Sequence, residues 1–291
     1  MEYFAQQAIN AIQLGSIYAL IALGYSLVYG VLTMINFAHG DIFMLGAFVC
    51  LLLAAFVPLP FPVVLVVVMA AMALVGMVIE RIAYRPLANA PRVSLVITAL
   101  GCGLVIQNTV LGLSPYSRPM PRLFESANFE VCGVAISTLQ LLIIGTSAVL
   151  TAGLDFMVRK TDFGIAMRAV AYDHFTVPLM GVPVNRIIAH TFAIGAGLGG
   201  AAGVLYGQAY PVVGAAMGVL VGWKAFIAAV IGGIGNMRGA VLGGYLLASV
   251  EVFAVVVLPS SYRDLIAYAL LLVILLFKPN GLLGRPPNRK V

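Results

Sequence analysis

The chain has 291 residues, of which 62% are hydrophobic and 9% are charged, with a formal net charge of +6. A soluble domain carries about 25% charged residues, and the mean hydropathy here is +1.08, so the composition excludes a soluble globular protein. The Lys and Arg residues stand at the ends of apolar runs, which is typical of membrane topology and not of nucleic-acid binding.

The apolar runs predict an all-α polytopic membrane protein with about eight or nine transmembrane segments. The first run, 4–35, is longer than one straight span needs, so its first turns are expected in the interface. The second run, 36–56, opens on polar residues at the expected membrane edge, and the third ends near Glu80. The fourth span is expected at 93–113, and the fifth, after a polar loop, reaches about Val158.

A polar island at 159–186 follows, with no apolar run long enough to span a bilayer. Thr161 is expected to cap a helix that begins with Asp162, an acid at the positive end of the helix dipole. Thr176 is expected to cap a second short turn, which Gly181 ends in a left-handed conformation. We therefore predict two short helices at the membrane surface, with a solvated loop as the alternative.

The last third of the chain is rich in glycine. A sixth span is expected at 187–210, and its glycines recur at every fourth residue, which predicts close approach of a neighbouring helix. The segment 223–258 is too long for one helix and is interrupted by glycines, which predicts a short descending helix, a turn and a longer returning helix. This pair either crosses the membrane twice or is re-entrant. The glycines with packing spacing are Gly195, Gly199, Gly203, Gly207, Gly235, Gly239 and Gly243.

Basic residues indicate the orientation. If the island, the 81–92 loop and the C-terminal tail are cytoplasmic, twelve of the sixteen Lys and Arg lie inside, as the positive-inside rule requires. The N-terminus is then outside and the C-terminus inside. The four basic residues left outside are Lys224, Arg118, Arg122 and Arg263.

Catalytic and metal-binding motifs are absent from the sequence. There is no P-loop, no H-E-x-x-H and no G-x-S-x-G, and Cys50, Cys102 and Cys132 are too scattered for a disulfide framework or a metal site. Gln107 and Asn108, inside the fourth span, are expected to bond to a neighbouring helix. We therefore expect no catalytic residue, no metal and no cofactor bound by this chain.

Ionisable residues inside the spans are few. They are Asp41, Glu80, Asp155 and Glu251, and all but Glu251 are expected near a membrane edge. Ion-coupled carriers usually keep paired acids or bases near the midplane, so the energy for transport is expected from elsewhere. The alternatives are two other classes of membrane protein. A secondary carrier or passive channel would need midplane ion sites, and a membrane enzyme would need a group of catalytic polar residues in or near the membrane.

Several stretches together resemble one family. Residues 15–30, 35–41 and 45–47 resemble the opening of the H-type permease subunit of branched-chain amino acid ABC importers. Residues 164–181 are similar to that family's cytoplasmic coupling segment, and the glycine-rich stretches 192–207 and 232–251 complete the resemblance. There is also a faint internal repeat, since 36–40 and 236–240 both open a span with Asn, although chance explains so short a match equally well.

The resemblance implies one transmembrane permease domain, 1–291, in the bacterial inner membrane, with a coupling segment at 159–186. It implies three kinds of partner besides lipid: an M-type second permease, two cytoplasmic ATPases that bind the ATP and Mg²⁺, and a periplasmic binding protein. The implied ATPase-coupling residues are Arg168, Ala169, Asp173, Leu179, Met180 and Gly181. The candidates for the translocation path are Asn36, His39, Gly40, Asp41, Asn236 and Glu251. Urea, short amides or other amino acids are alternative substrates.

Overall fold

The computed structural model describes residues 2–88, 90–131, 133–173 and 176–284. Ten α-helices follow one another over these residues. They are α1 (Glu2–Leu32), α2 (His39–Phe56), α3 (Phe61–Ile79), α4 (Arg92–Leu113), α5 (Thr138–Lys160), α6 (Asp162–Tyr172), α7 (Val184–Ala209), α8 (Met217–Gly232), α9 (Met237–Val257) and α10 (Arg263–Phe277). Eight of them, all except α6 and α8, form apolar stretches long enough to cross a membrane. The predicted all-α polytopic class is confirmed. Cys132, His174 and the basic residues of the tail (Arg285, Arg289 and Lys290) lie outside the described residues.

Two short antiparallel ribbons lie in the connections. β1 (Arg118–Pro119) pairs with β4 (Val212–Val213), and β2 (Asn128–Val131) pairs with β3 (Val134–Ser137). The first ribbon ties the polar loop after α4 to the segment that enters α8.

α1 is the central helix of the bundle. It is unbroken over 31 residues, about 46 Å at 1.5 Å per residue, which exceeds the roughly 30 Å hydrocarbon core. Every residue from Leu14 to Val28 is buried, as expected of a helix that is apolar on all sides. The extra length predicted for the first run is therefore carried by one continuous helix, with its first residues exposed.

α7 packs against α1 and α2 through its glycines. A Cβ built at Gly195 would lie 3.3 Å from the Gly24 carbonyl of α1, and one at Gly199 would lie 3.1 Å from the His39 ring. A Cβ at Gly203 would lie 2.8 Å from the Ala47 amide of α2. Such spacing lets helix backbones approach closely.

The segment that was predicted to break does so between α8 and α9. α8 has 16 residues, about 24 Å, and is too short to cross the membrane alone. The turn that follows uses two glycines at positive φ, Gly233 and Gly235. A Cβ at Gly243 would lie 2.8 Å from the Gly232 amide, so the two arms are in close contact. The short arm begins at Met217, six residues before the predicted start.

Candidate functional site

The N-terminus of α2 lies inside the bundle and not at the membrane edge, which corrects the prediction for His39 and Asp41. After α1 the chain reverses through Thr33, whose φ is +52°, and runs back between the helices. The His39 ring is fully buried, 4.7 Å between centroids from the Tyr25 ring. It packs on Gly199, 15 residues from the start of α7 and 10 from its end. These polar residues are therefore at mid-depth.

The two asparagines of the internal repeat have matching roles. The Asn36 side-chain oxygen accepts from the Ala38 amide at 3.1 Å and from the Tyr84 hydroxyl at 2.9 Å. The Asn236 side-chain oxygen likewise accepts from the Arg238 amide at 3.1 Å and caps α9. Its amide nitrogen donates to the Leu283 carbonyl at 2.7 Å. Both residues hold the start of a helix, and these contacts account for the Asn36 side-chain oxygen and for both polar groups of the Asn236 side chain.

Asp41, in the first turn of α2, borders a cavity of about 90 Å³. Its carboxylate is wedged between α4 and α8, because a Cβ at Gly218 would lie 2.8 Å from Oδ1 and one at Gly103 would overlap Oδ2. Gly40 lies beside it and packs directly on the backbone of α8 at Gly222. The cavity is lined by Tyr25, Phe37, Gly40, Asp41, Leu100, Leu104, Gln107, Gly218, Val219, Gly222, Trp223 and Phe226.

Glu251, for which the sequence left open a channel residue or an internally paired acid, belongs to a buried ion-pair network whose basic partner, Lys224, sequence reasoning missed. Lys224 Nζ lies 3.2 Å from Glu251 Oε1 and 2.8 Å from Asp264 Oδ1. The Tyr18 hydroxyl donates to Glu251 Oε2 at 3.1 Å. Lys224, predicted to lie on the outer surface, is thus inside α8 and ties it to α9 and α10. The available signal was a single Lys within the apolar run 217–232.

The network adds one basic residue, Lys224 of α8, to the few ionisable residues inside the spans. Glu80, Asp155 and Asn108 have local partners. Glu80 is bound by Arg85 at 2.9 Å, and Asp155 by Arg159 at 2.7 Å. Asn108 donates to the Leu104 carbonyl of its own helix and not to a neighbouring helix, because that face of α4 is exposed.

The predicted coupling segment forms α6 and a 3-10 turn, Val177–Met180. Thr161 caps α6 by accepting from the Gly164 amide at 3.2 Å, as predicted. Arg168 donates to the Val158 carbonyl at the end of α5. Ala169 lies one residue further along α6, half-buried, and its carbonyl accepts from the Asp173 amide at 3.0 Å. Arg168 therefore fixes α6 to α5.

The tip of the segment departs from the prediction at one residue. Thr176 precedes the 3-10 turn but makes no side-chain cap; its hydroxyl donates to Asp173 at 2.5 Å. Asp173 supplies the acceptor at this turn instead, because its Oδ1 accepts from the Thr176 amide at 3.2 Å. Gly181 has φ +81°, as predicted. Leu179 is 86% exposed and Met180 79% exposed.

Basic residues gather at one end of the bundle. A cavity of about 890 Å³ lies there, lined by groups from the ends of α1 and α5, by Arg168 of α6 and by the start of α9. Its basic residues are Arg159, Lys160, Arg168 and Arg238. The α6 segment lies at this same end.

Together these features define a multi-pass membrane protein of transporter architecture, in which α8 and α9 form a broken helix pair and α2 begins inside the bundle. Among the described residues no group of three His, Cys, Asp or Glu side chains is placed to hold a metal. The family described as the permease component of branched-chain amino acid transport systems matches residues 7–275. The chain belongs to that family, and is a transport component of the inner membrane and not an enzyme.

Two relatives match this chain over nearly its whole length and theirs, and a third matches over less than half. The chain is 42% identical to the high-affinity branched-chain amino acid transport system permease protein BraD of Pseudomonas aeruginosa, covering 99% of this chain and 98% of that one. It is 40% identical to the corresponding protein LivH of Escherichia coli K12, with the same coverage. It is also 31% identical to the probable permease protein LivM of Methanocaldococcus jannaschii, over 44% of this chain and 41% of that one.

Proposed function

We propose that this chain forms one half of the translocation path of an ATP-driven, binding-protein-dependent importer of branched-chain amino acids. The observation that carries the proposal is the family match over 7–275. The other half would be an M-type permease, and the partial similarity to a LivM protein supports a pair of related subunits. Urea, short amides and other amino acids are the competing substrates.

The α6 segment would receive the motion of two cytoplasmic ATPases, which bind the ATP and Mg²⁺. Three exposed side chains at its tip support this role, namely Tyr172, Leu179 and Met180, which are 81%, 86% and 79% exposed. An exposed apolar cluster marks a contact surface. Arg168 fixes α6 to α5, so a push on the tip would move α5 and the helices that contact it. The basic end would then be cytoplasmic, with the N-terminus outside and the C-terminus inside.

The test is uptake by the complete importer in proteoliposomes, with a periplasmic binding protein added. ATP, a proton gradient and a sodium gradient are varied independently. We expect uptake of leucine, isoleucine or valine only with ATP and the loaded binding protein. Uptake driven by an ion gradient without ATP would refute the mechanism, and uptake of urea or short amides in preference to these amino acids would refute the substrate.

A further inference from the structure

Three acids are buried in the described bundle, and they differ in their partners. Glu80 is bound by Arg85, and Glu251 is bound by Lys224 and Tyr18. Asp41 is 8% exposed, and its Oδ1 has no hydrogen-bond partner among the described residues. A buried carboxylate without a partner is costly, so Asp41 stands apart from the other two.

The cavity at Asp41 contains no basic side chain among its lining residues. Aromatic rings form much of its wall. Phe226 lies 5.9 Å from Tyr25, 5.8 Å from Phe37 and 5.8 Å from Trp223 between ring centroids. Aromatic faces attract cations, ammonium groups included, and they also accept apolar side chains. A carboxylate beside four rings therefore suits a ligand with an ammonium group next to a hydrocarbon group.

The space for such a group is the cavity that Asp41 borders, since the backbone on either side of the carboxylate packs against it. Glycines stand at the two positions, Gly103 and Gly218, where a Cβ would crowd the carboxylate. The cavity of about 90 Å³ holds a small polar head, since one water needs roughly 10–15 Å³ of such space. Its rim opens between α4 and α8, where Leu104 is 57% and Trp223 40% exposed. The remainder of a larger ligand would extend past this rim.

We infer that Asp41 and the ring cluster of Tyr25, Phe37, Trp223 and Phe226 form a subsite for the α-ammonium group and adjoining hydrocarbon of the transported amino acid. The inference rests on the proposed function, because it names the substrate group that this part of the path binds. Gln107, on α4, lines the same cavity and offers amide donors to the substrate carboxylate.

Direct binding is measured on the complete importer in nanodiscs without ATP, by saturation-transfer NMR. The probes are 3-methylbutylammonium and its neutral analogue 3-methylbutanol. We expect the amine to bind and the alcohol not to bind. Asp41→Asn, which keeps the shape and removes the charge, should weaken amine binding by roughly tenfold or more. Trp223→Leu, which leaves Asp41 in place, should weaken it a few-fold.

Glu130→Gln is the matched control, because Glu130 is an exposed acid on β2, and it should bind the amine like the wild type. Equal amine binding by wild type and Asp41→Asn would overturn the inference. So would Asp41-dependent binding of radioactive sodium with no binding of the amine, since the site would then hold an inorganic cation. If Asp41→Asn does not assemble, the Trp223→Leu variant tests the inference in its place. Amine binding by that variant with the affinity of the wild type would refute the role of the ring cluster.

Uptake of leucine in proteoliposomes separates this inference from the proposed function. If the wild type takes up leucine normally but amine binding does not depend on Asp41, the subsite is refuted and the proposed importer function stands. If the wild type shows no ATP-dependent uptake of branched-chain amino acids but binds the amine through Asp41, the proposed substrate is wrong and the ammonium site stands. If both hold, Asp41→Asn should lower the kcat for uptake at least tenfold, whereas Glu130→Gln should not.

Discussion

Replacing Lys224 by Met should destabilise the bundle more than any surface charge change. The substitution keeps the length of the side chain and leaves Glu251, whose side chain is 1% exposed, without a counter-charge. Removing one partner of a buried ion pair costs about 3–5 kcal/mol. We expect the lower end, because the Tyr18 hydroxyl still donates to Glu251. Asp264→Asn should cost about 1 kcal/mol or less, since that carboxylate is 58% exposed.

The assay is equilibrium unfolding of the purified chain in mixed micelles, titrated with denaturing detergent. A double variant, Lys224→Met with Glu251→Gln, removes both charges and should recover most of the loss, because no unpaired charge is left in the bundle. If Lys224→Met costs no more than Asp264→Asn, or if the double variant is as unstable as the sum of the single ones, the pair does not support α8 and the reasoning is wrong.

Three further predictions concern packing and coupling. Gly203→Ala should lower the free energy of unfolding by about 1–3 kcal/mol, because its Cβ would press on the backbone of α2. Gly101→Ala is the control, because a Cβ at Gly101 would have nothing within 4 Å. Equal melting temperatures for the two variants would contradict the close contact at Gly203. Leu179→Asp should reduce co-purification of the ATPases and leave the stability of the chain unchanged. The control is Tyr116→Asp, at a residue 82% exposed in the loop after α4, which should not reduce co-purification. If both variants recruit the ATPases equally, the tip is not part of the interface. Gly181→Val should strain the left-handed turn by about 1–2 kcal/mol and lower the ATPase rate stimulated by the loaded binding protein. The strain is in the backbone and not a steric clash, because nothing lies within 4 Å of the Cβ position. A stimulated rate equal to that of the wild type would show that the turn does not transmit motion.

The elements of this protein follow closely from local sequence. The fourth span was predicted at 93–113 and is observed as Arg92–Leu113. The capping of α6 by Thr161 and the positive φ of Gly181 were also predicted. These features depend on hydropathy, on a short side chain that can cap, and on the freedom of glycine, and all three act over a few residues.

The depth of polar residues did not follow in the same way. The residues 36–41 read as the polar start of a helix at a membrane edge, and the same letters fit a helix that starts at mid-depth. The difference is made by Gly24 and Gly199, which are distant in sequence and leave space for the His39 ring. Lys224 was placed outside for the same reason, since its partners Glu251 and Asp264 become neighbours only when α8, α9 and α10 pack.

By itself the amino-acid sequence determined the class of protein, the number and limits of most helices, the glycine-rich faces and the surface segment. The tertiary structure alone decided which charges are paired, which acid has an atom without a partner, and which aromatic rings surround it. The physical reason is range. Helix formation and membrane insertion depend on residues close along the chain, whereas the electrostatics of a buried site depend on groups that only packing brings together.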